Sequence, residues 1–120
     1  MLLALERCVS SAGASGTAAT GPANTVDDAK KRKFNRQEEI QTLKNSRLVA
    51  ETHRGTLYLR EKPAGAWGEQ VTKAVDDENS DRMLIMVAEA ESARRPLDAV
   101  QKERWQENVK AAFQGEYIEA

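Results

Sequence analysis

Chemistry in a chain of 120 residues would have to be built from few reactive groups, because the sequence holds one histidine, His53, and one cysteine, Cys8. A Cys-His nucleophile needs the two side chains in contact with a third group to orient the imidazole. These two lie 45 residues apart in different segments, and nothing in the spacing brings them together. Zinc sites require several Cys or His ligands, which are not present. The acidic run DDENSD at 76–81 has the carboxylates of a calcium loop without its central Gly or its closing Glu, so it reads as a solvated turn. GASG at 13–16 and AGAWGEQ at 64–70 lack the Lys-Ser/Thr or the strand context of a phosphate-cradling loop. The expectation is therefore a chain that is not an enzyme and takes no cofactor or metal.

The sharpest charge feature is KKRK at 30–33, followed by Arg36. Lys30, Lys31, Arg32 and Lys33 could line a solvated helix face, dock on an acidic protein surface, or contact nucleic-acid phosphates. Asp27 and Asp28 precede the run, Glu38 and Glu39 follow it, and Phe34 is the one interleaved aromatic, which argues against nucleic acid. Charge is also divided along the chain. Residues 1–62 carry 11 Lys or Arg against 7 Asp or Glu, and residues 63–120 carry 7 against 12, for an overall net charge of −1. Such a split suits two surfaces meeting different neighbours.

The elements that would position these groups are mostly helical. Residues 1–24 form an N-terminal arm and linker: MLLALERCVSS has some features of a mitochondrial presequence, but Glu6 and a single Arg weaken that reading. SSAGASGTAATGPAN at 10–24 is small, polar and broken by Gly and Pro, the composition of a flexible linker. Residues 25–62 begin with Thr25 as a helix cap ahead of Asp27 and Asp28, and the helix can extend to about Glu51. Its apolar stripe of Phe34, Ile40, Leu43, Leu48 and Val49 is thin. After Gly55, Thr56–Leu59 alternates as a strand with Leu57 and Leu59 on one face and Tyr58 on the other, but with no evident partner. Residues 63–120 open on a Pro63–Gly65 turn. A short helix through Trp67, Val71, Ala74 and Val75 is expected to end at DDENS, and Ser80 to cap the next. Pro96 starts a last helix with Leu97, Val100, Trp105, Val109 and Phe113 on one face and Gly115 as its stop.

Leu, Ile, Val and Phe number 22 of the 120 residues, and Ala alone contributes 18. Helix propensity is high and bulky apolar surface is scarce. The expected fold class is mainly α: an extended, non-globular chain of three to four helices with a flexible N-terminal arm and little core of its own, stabilised partly by a partner. No apolar run approaches the roughly 20 residues that span a bilayer, so no membrane insertion is expected.

The tail MLIMVAEAESARRPLDAVQKERWQENVKAAFQGEYIEA resembles the C-terminal helical part of small cilia- and flagella-associated proteins that bind inside doublet microtubules, the microtubule inner proteins. Leu97, Trp105 and Val109 match the apolar and aromatic positions of that pattern. Gln101 stands where an acid belongs, Glu107 is one place early and Gly115 is late. The resemblance implies a structural protein laid along tubulin and neighbouring inner proteins in the axoneme of a cilium or flagellum. Trp67, Trp105 and Tyr117 are then the expected anchors, with Leu97, Val109 and Phe113 beside them; the alternative is a modest internal core among the last helices. Other readings of the same physics are an accessory subunit of a mitochondrial complex or ribosome, and a small helical nucleic-acid-binding module.

Overall fold

The computed structural model describes residues 25–112 and 116–118; the expected N-terminal arm, together with Phe113 and Gly115, lies outside them. Helix α1 spans Val26–Asn45, strands β1 and β2 span Val49–Glu51 and Leu57–Leu59, helices α2 and α3 span Gly65–Ala93 and Leu97–Ala111, and strand β3 is Tyr117–Ile118.

Thr25 caps α1 as its sequence foretells: Oγ1 accepts the Asp28 amide at 3.1 Å and donates to the Asp28 carboxylate at 2.8 Å. The helix stops six residues short of Glu51. Arg47 takes a left-handed backbone with φ 63°, and the Leu48 amide folds back to the Leu43 carbonyl at 3.1 Å. That turn frees Val49–Glu51 to leave the helix as β1. The strand at 57–59 therefore has the partner that sequence patterning did not supply. Val49 faces Leu59, Ala50 faces Tyr58 and Glu51 faces Leu57 in antiparallel register, while Ala50 and Glu51 pair with Tyr117 and Ile118 in parallel. The sheet order is β2-β1-β3.

The run DDENS does not end a helix. Helix α2 continues through it for 29 residues, and Ser80 lies in its interior rather than capping a new helix. The reason is electrostatic: Glu78 and Asp81, predicted to be solvated, are buried and neutralised by cations from α1, so the acids need no turn to reach water. Near its start, Gly68 lies so close to Pro63 that a Cβ there would run into the Pro63 carbonyl. The helix ends where Arg94 turns left-handed at φ 55° and the Arg95 amide reaches back to the Ala90 carbonyl at 2.9 Å. Pro96 then stands as the N-cap residue of α3.

An extended chain with little core was expected, and the described residues fold compactly instead. One buried cluster joins Ile40 and Leu43 of α1, Leu48 and Val49, Leu57, and Val71, Ala74 and Val75 of α2. A second joins Met86, Ala90 and Val100, with Met83 and Leu97 against it. The expectation failed because it counted only bulky residues. Ala29, Ala74 and Ala90 are buried where a larger side chain would hold elements apart, and the Arg82 side chain fills interior volume with its stem. Three helices are present among the described residues, so the mainly helical class stands, joined by a small sheet.

Candidate interaction surface

The α1–α2 interface is an ionic ladder built from the two oppositely charged halves of the sequence. Arg32 donates to Asp81 through Nε and Nη2, the latter at 2.8 Å. Arg36 spans two acids, with Nη1 to Glu78 and Nη2 to Asp81, both at 2.9 Å. Arg82 donates through Nε to Glu78 at 2.8 Å, through Nη1 and Nη2 to Glu51 at 2.9 and 3.2 Å, and to the Gly55 carbonyl at 3.2 Å. Lys44 at 2.9 Å and the Asn108 amide at 3.0 Å complete the shell around Glu51. Burial alone would raise the carboxyl groups of Glu51, Glu78 and Asp81, but hydrogen bonds and charges outweigh it: Arg82 and Lys44 at Glu51, Arg82, Lys33 and Arg36 at Glu78, and Arg32 and Arg36 at Asp81. All three are held below the usual carboxylate range.

This ladder turns the carboxylates inward and leaves the far side of the sheet with a different character. Ala50 pairs with Tyr58 on one side and Tyr117 on the other, so the three share the outer face in a row. The two tyrosines flank a residue with almost no side chain. Both are exposed, at 62% for Tyr58 and 44% for Tyr117. The Arg60 guanidinium lies 3.5 Å from the centroid of the Tyr117 ring, a cation-π contact, and its Nη1 also donates to the Arg47 carbonyl at 2.6 Å. A groove of about 680 Å³ runs over this face, lined by Arg54, Thr56 and Ile118 toward the hairpin end and by Arg60 at the other. Glu51 is its one acidic residue, and that carboxylate is already enclosed by the ladder.

The residues singled out from sequence are dispersed. Tyr117 belongs to the outer sheet face. Trp105 is half-buried and packed against His53, with ring centroids 4.5 Å apart and the planes tilted by 43°, so it braces α3 against the hairpin turn; its Nε1 is buried without an acceptor among the described residues. Trp67 stands exposed at 51% on the first turn of α2, away from the groove. Leu97 packs on the second core cluster, and Val109 is half-buried on α3. Phe113 lies outside the described residues. KKRK does not present one face: Lys30 and Lys31 are exposed, Arg32 is tied to Asp81, and Lys33 stands at the edge of the ladder, only loosely held by Glu78 at 3.6 Å. Tyr58, Arg54 and Arg60 were missed, although the alternation of LYL already put Tyr58 opposite the buried leucines. No helix among the described residues is long and apolar enough to cross a membrane.

No family model, curated protein or solved structure matches this chain.

Proposed function

We propose that the protein is a non-enzymatic structural module that docks an acidic protein surface on the outer face of its sheet. Its proposed setting is the axonemal doublet microtubule of a cilium or flagellum, with tubulin and neighbouring inner proteins as partners. The observation that carries the docking reading is the row Tyr58, Ala50, Tyr117 with Arg60 over the second ring. Exposed aromatics and arginines supply most of the energy in protein interfaces, and here they stand together on a face whose carboxylate is turned inward and paired. The small Ala50 between two rings leaves a slot that a partner side chain can enter. The axonemal setting rests on the resemblance of residues 83–120 and supplies the partner's identity.

Co-sedimentation of the full chain with taxol-stabilised microtubules tests both parts. The wild type is expected to pellet at low salt and to be released as salt rises. A Tyr58→Ser, Arg60→Ala, Tyr117→Ser variant with unchanged circular dichroism is expected to bind at least about tenfold more weakly. Failure of the wild type to pellet would remove the axonemal setting. Equal binding by the triple variant would remove the sheet face as the docking surface.

A further inference from the structure

A second concave site lies on the other side of the ionic ladder, independent of the sheet face. A cleft of about 420 Å³ runs along α1 between Lys30 and Lys44, with Arg82 and Ile85 of α2 and Arg104 of α3 completing its walls. It deepens into a small chamber of about 40 Å³ shared by Lys33, Arg82, Ile85 and Arg104 and closed by Met86 and Asn108. Cations from three helices thus converge on one cavity: Lys30, Lys33, Lys44, Arg82 and Arg104 line the cleft against the single carboxylate of Glu78.

Pairing within the fold uses up some of this charge and leaves the rest pointed at the cleft. Arg82 is consumed by Glu51, Glu78 and Gly55, and Lys44 by Glu51. Glu78 spends its oxygens on Arg36 and Arg82, so Lys33 reaches it only at 3.6 Å. Arg104 holds Glu89 through Nη2 at 2.5 Å and Glu107 through Nε at 3.4 Å, which leaves Nη1 without a partner among the described residues. Lys30 forms no ion pair among the described residues. Lys33 and Arg104 therefore present donors to the mouth of the same chamber, with Lys30 beyond them. Beside the lysines stands Phe34, 68% exposed on the cleft wall.

We propose that this cleft binds a phosphate-type oxyanion carried on an organic group. Lys33 and the free edge of Arg104 hold the oxyanion, and Phe34 lies along its apolar part. A guanidinium and an ammonium of this kind recognise tetrahedral oxyanions through charge-assisted hydrogen bonds, and the partly desolvated chamber strengthens each of them. The unspent donors of Lys33 and Arg104, with Lys30 beyond them, are then the feature that selects an anion, and the exposed ring is the feature that selects an ester over the bare ion.

Isothermal titration of the full chain with phenyl phosphate, and with inorganic phosphate in parallel, tests the site, and amide chemical shifts locate it. Saturable binding in the millimolar range or tighter is expected, with phenyl phosphate the stronger ligand and shifts centred on Lys33, Phe34 and Arg104. Lys33→Gln and Arg104→Gln should each weaken binding by about tenfold. Phe34→Ala should abolish the preference for the ester, and Lys73→Gln, on the exposed side of α2, should change nothing. Should Arg104→Gln melt earlier than wild type, Lys33→Gln and the shift map decide the matter. No saturable binding, or binding indifferent to Lys33 and Arg104, would overturn the proposal.

Discussion

Arg82 Nη1 lies 2.9 Å from Glu51 Oε1, joining residues 31 positions apart in the chain, and both side chains are almost wholly buried. This pair ties the middle of α2 to the central strand of the sheet. It also anchors the hairpin turn through the Gly55 carbonyl. A buried ion pair adds little over an apolar pair of the same shape, because desolvation offsets the attraction, yet removing one partner leaves the other undercompensated in the interior: Glu51 would keep Lys44 and Asn108, and Arg82 would keep Glu78 and the Gly55 carbonyl. Arg82→Met and Glu51→Gln are each expected to destabilise the fold by about 3–5 kcal/mol in urea denaturation. The double variant should lose clearly less than the sum of the two, because the two charges that face each other are removed together while Glu78 keeps Arg36.

Acid should act on the same ladder. Glu51, Glu78 and Asp81 all titrate below their ordinary values of 4.5, 4.5 and 3.8, so the unfolded chain binds their protons first. A depressed carboxyl contributes stability that is fully present above its unfolded pKa and lost as pH falls through the folded one. The urea midpoint is therefore expected to be nearly flat from neutrality to about pH 5 and to fall steeply below about pH 4.5. In Glu78→Gln the fall should be shallower and the stability at neutral pH lower. A midpoint that rises on acidification would contradict the ladder's role.

Gly55 carries φ 75°, and a Cβ at that position would meet Met86 Sδ at 3.0 Å and Arg104 Cβ at 3.3 Å. Left-handed backbone costs an alanine about 1–2 kcal/mol on its own. The close contacts with α2 and α3 add to it, since the Arg104 Cβ is fixed by its helix. Gly55→Ala is expected to lower the melting temperature by several degrees, measured by circular dichroism. Trp105 fluorescence should report the loosening, because His53, whose ring packs against it, sits two residues before Gly55.

Local signals in the sequence were legible and long-range ones were not. Thr25 as a cap, the alternation of Leu57, Tyr58 and Leu59 and the start of α3 behind Pro96 all follow from chemistry within a few residues, whereas Gly55, expected to break the first helix, turns the hairpin instead. What escaped is what depends on pairing across the fold. DDENS looks like a turn in isolation, because nothing nearby announces that Arg32, Arg36 and Lys33 will stand opposite it from more than 40 residues away. Val49–Glu51 looks like the end of a helix until β2 and Tyr117 offer it two ladders. Even the core was undercounted for this reason, since buried alanines and an enclosed arginine contribute only through what faces them. Of the proposed docking face, Tyr117 is among the anchors expected from sequence. Tyr58 follows from the alternation as the residue opposite the two leucines, but its place in one row with Tyr117 depends on the long-range pairing of β3.

Asn79 offers the clearest test of how the sheet is held. In the observed register, the Leu57 amide and carbonyl point away from β1 toward the open edge of β2. Unpaired groups there would leave a strand edge able to recruit another chain. The Asn79 side chain closes it from α2: Oδ1 accepts the Leu57 amide at 2.7 Å, and Nδ2 donates to the Leu57 carbonyl at 2.9 Å. One amide thus replaces a neighbouring strand, a role that neither Asp nor Leu can fill, since Asp lacks the donor and Leu lacks both. Asn79→Leu is expected to cost about 1–3 kcal/mol, because two half-buried backbone groups lose their partners. Asn79→Asp should fall between it and the wild type at low pH, where a protonated carboxyl can donate, and be worse at neutral pH. Hydrogen exchange at the Leu57 amide is the direct measurement: faster exchange in Asn79→Leu, with the amides of α3 unchanged, is the expected pattern. Protection at Leu57 equal to that of the wild type would mean that the edge is covered by something other than Asn79.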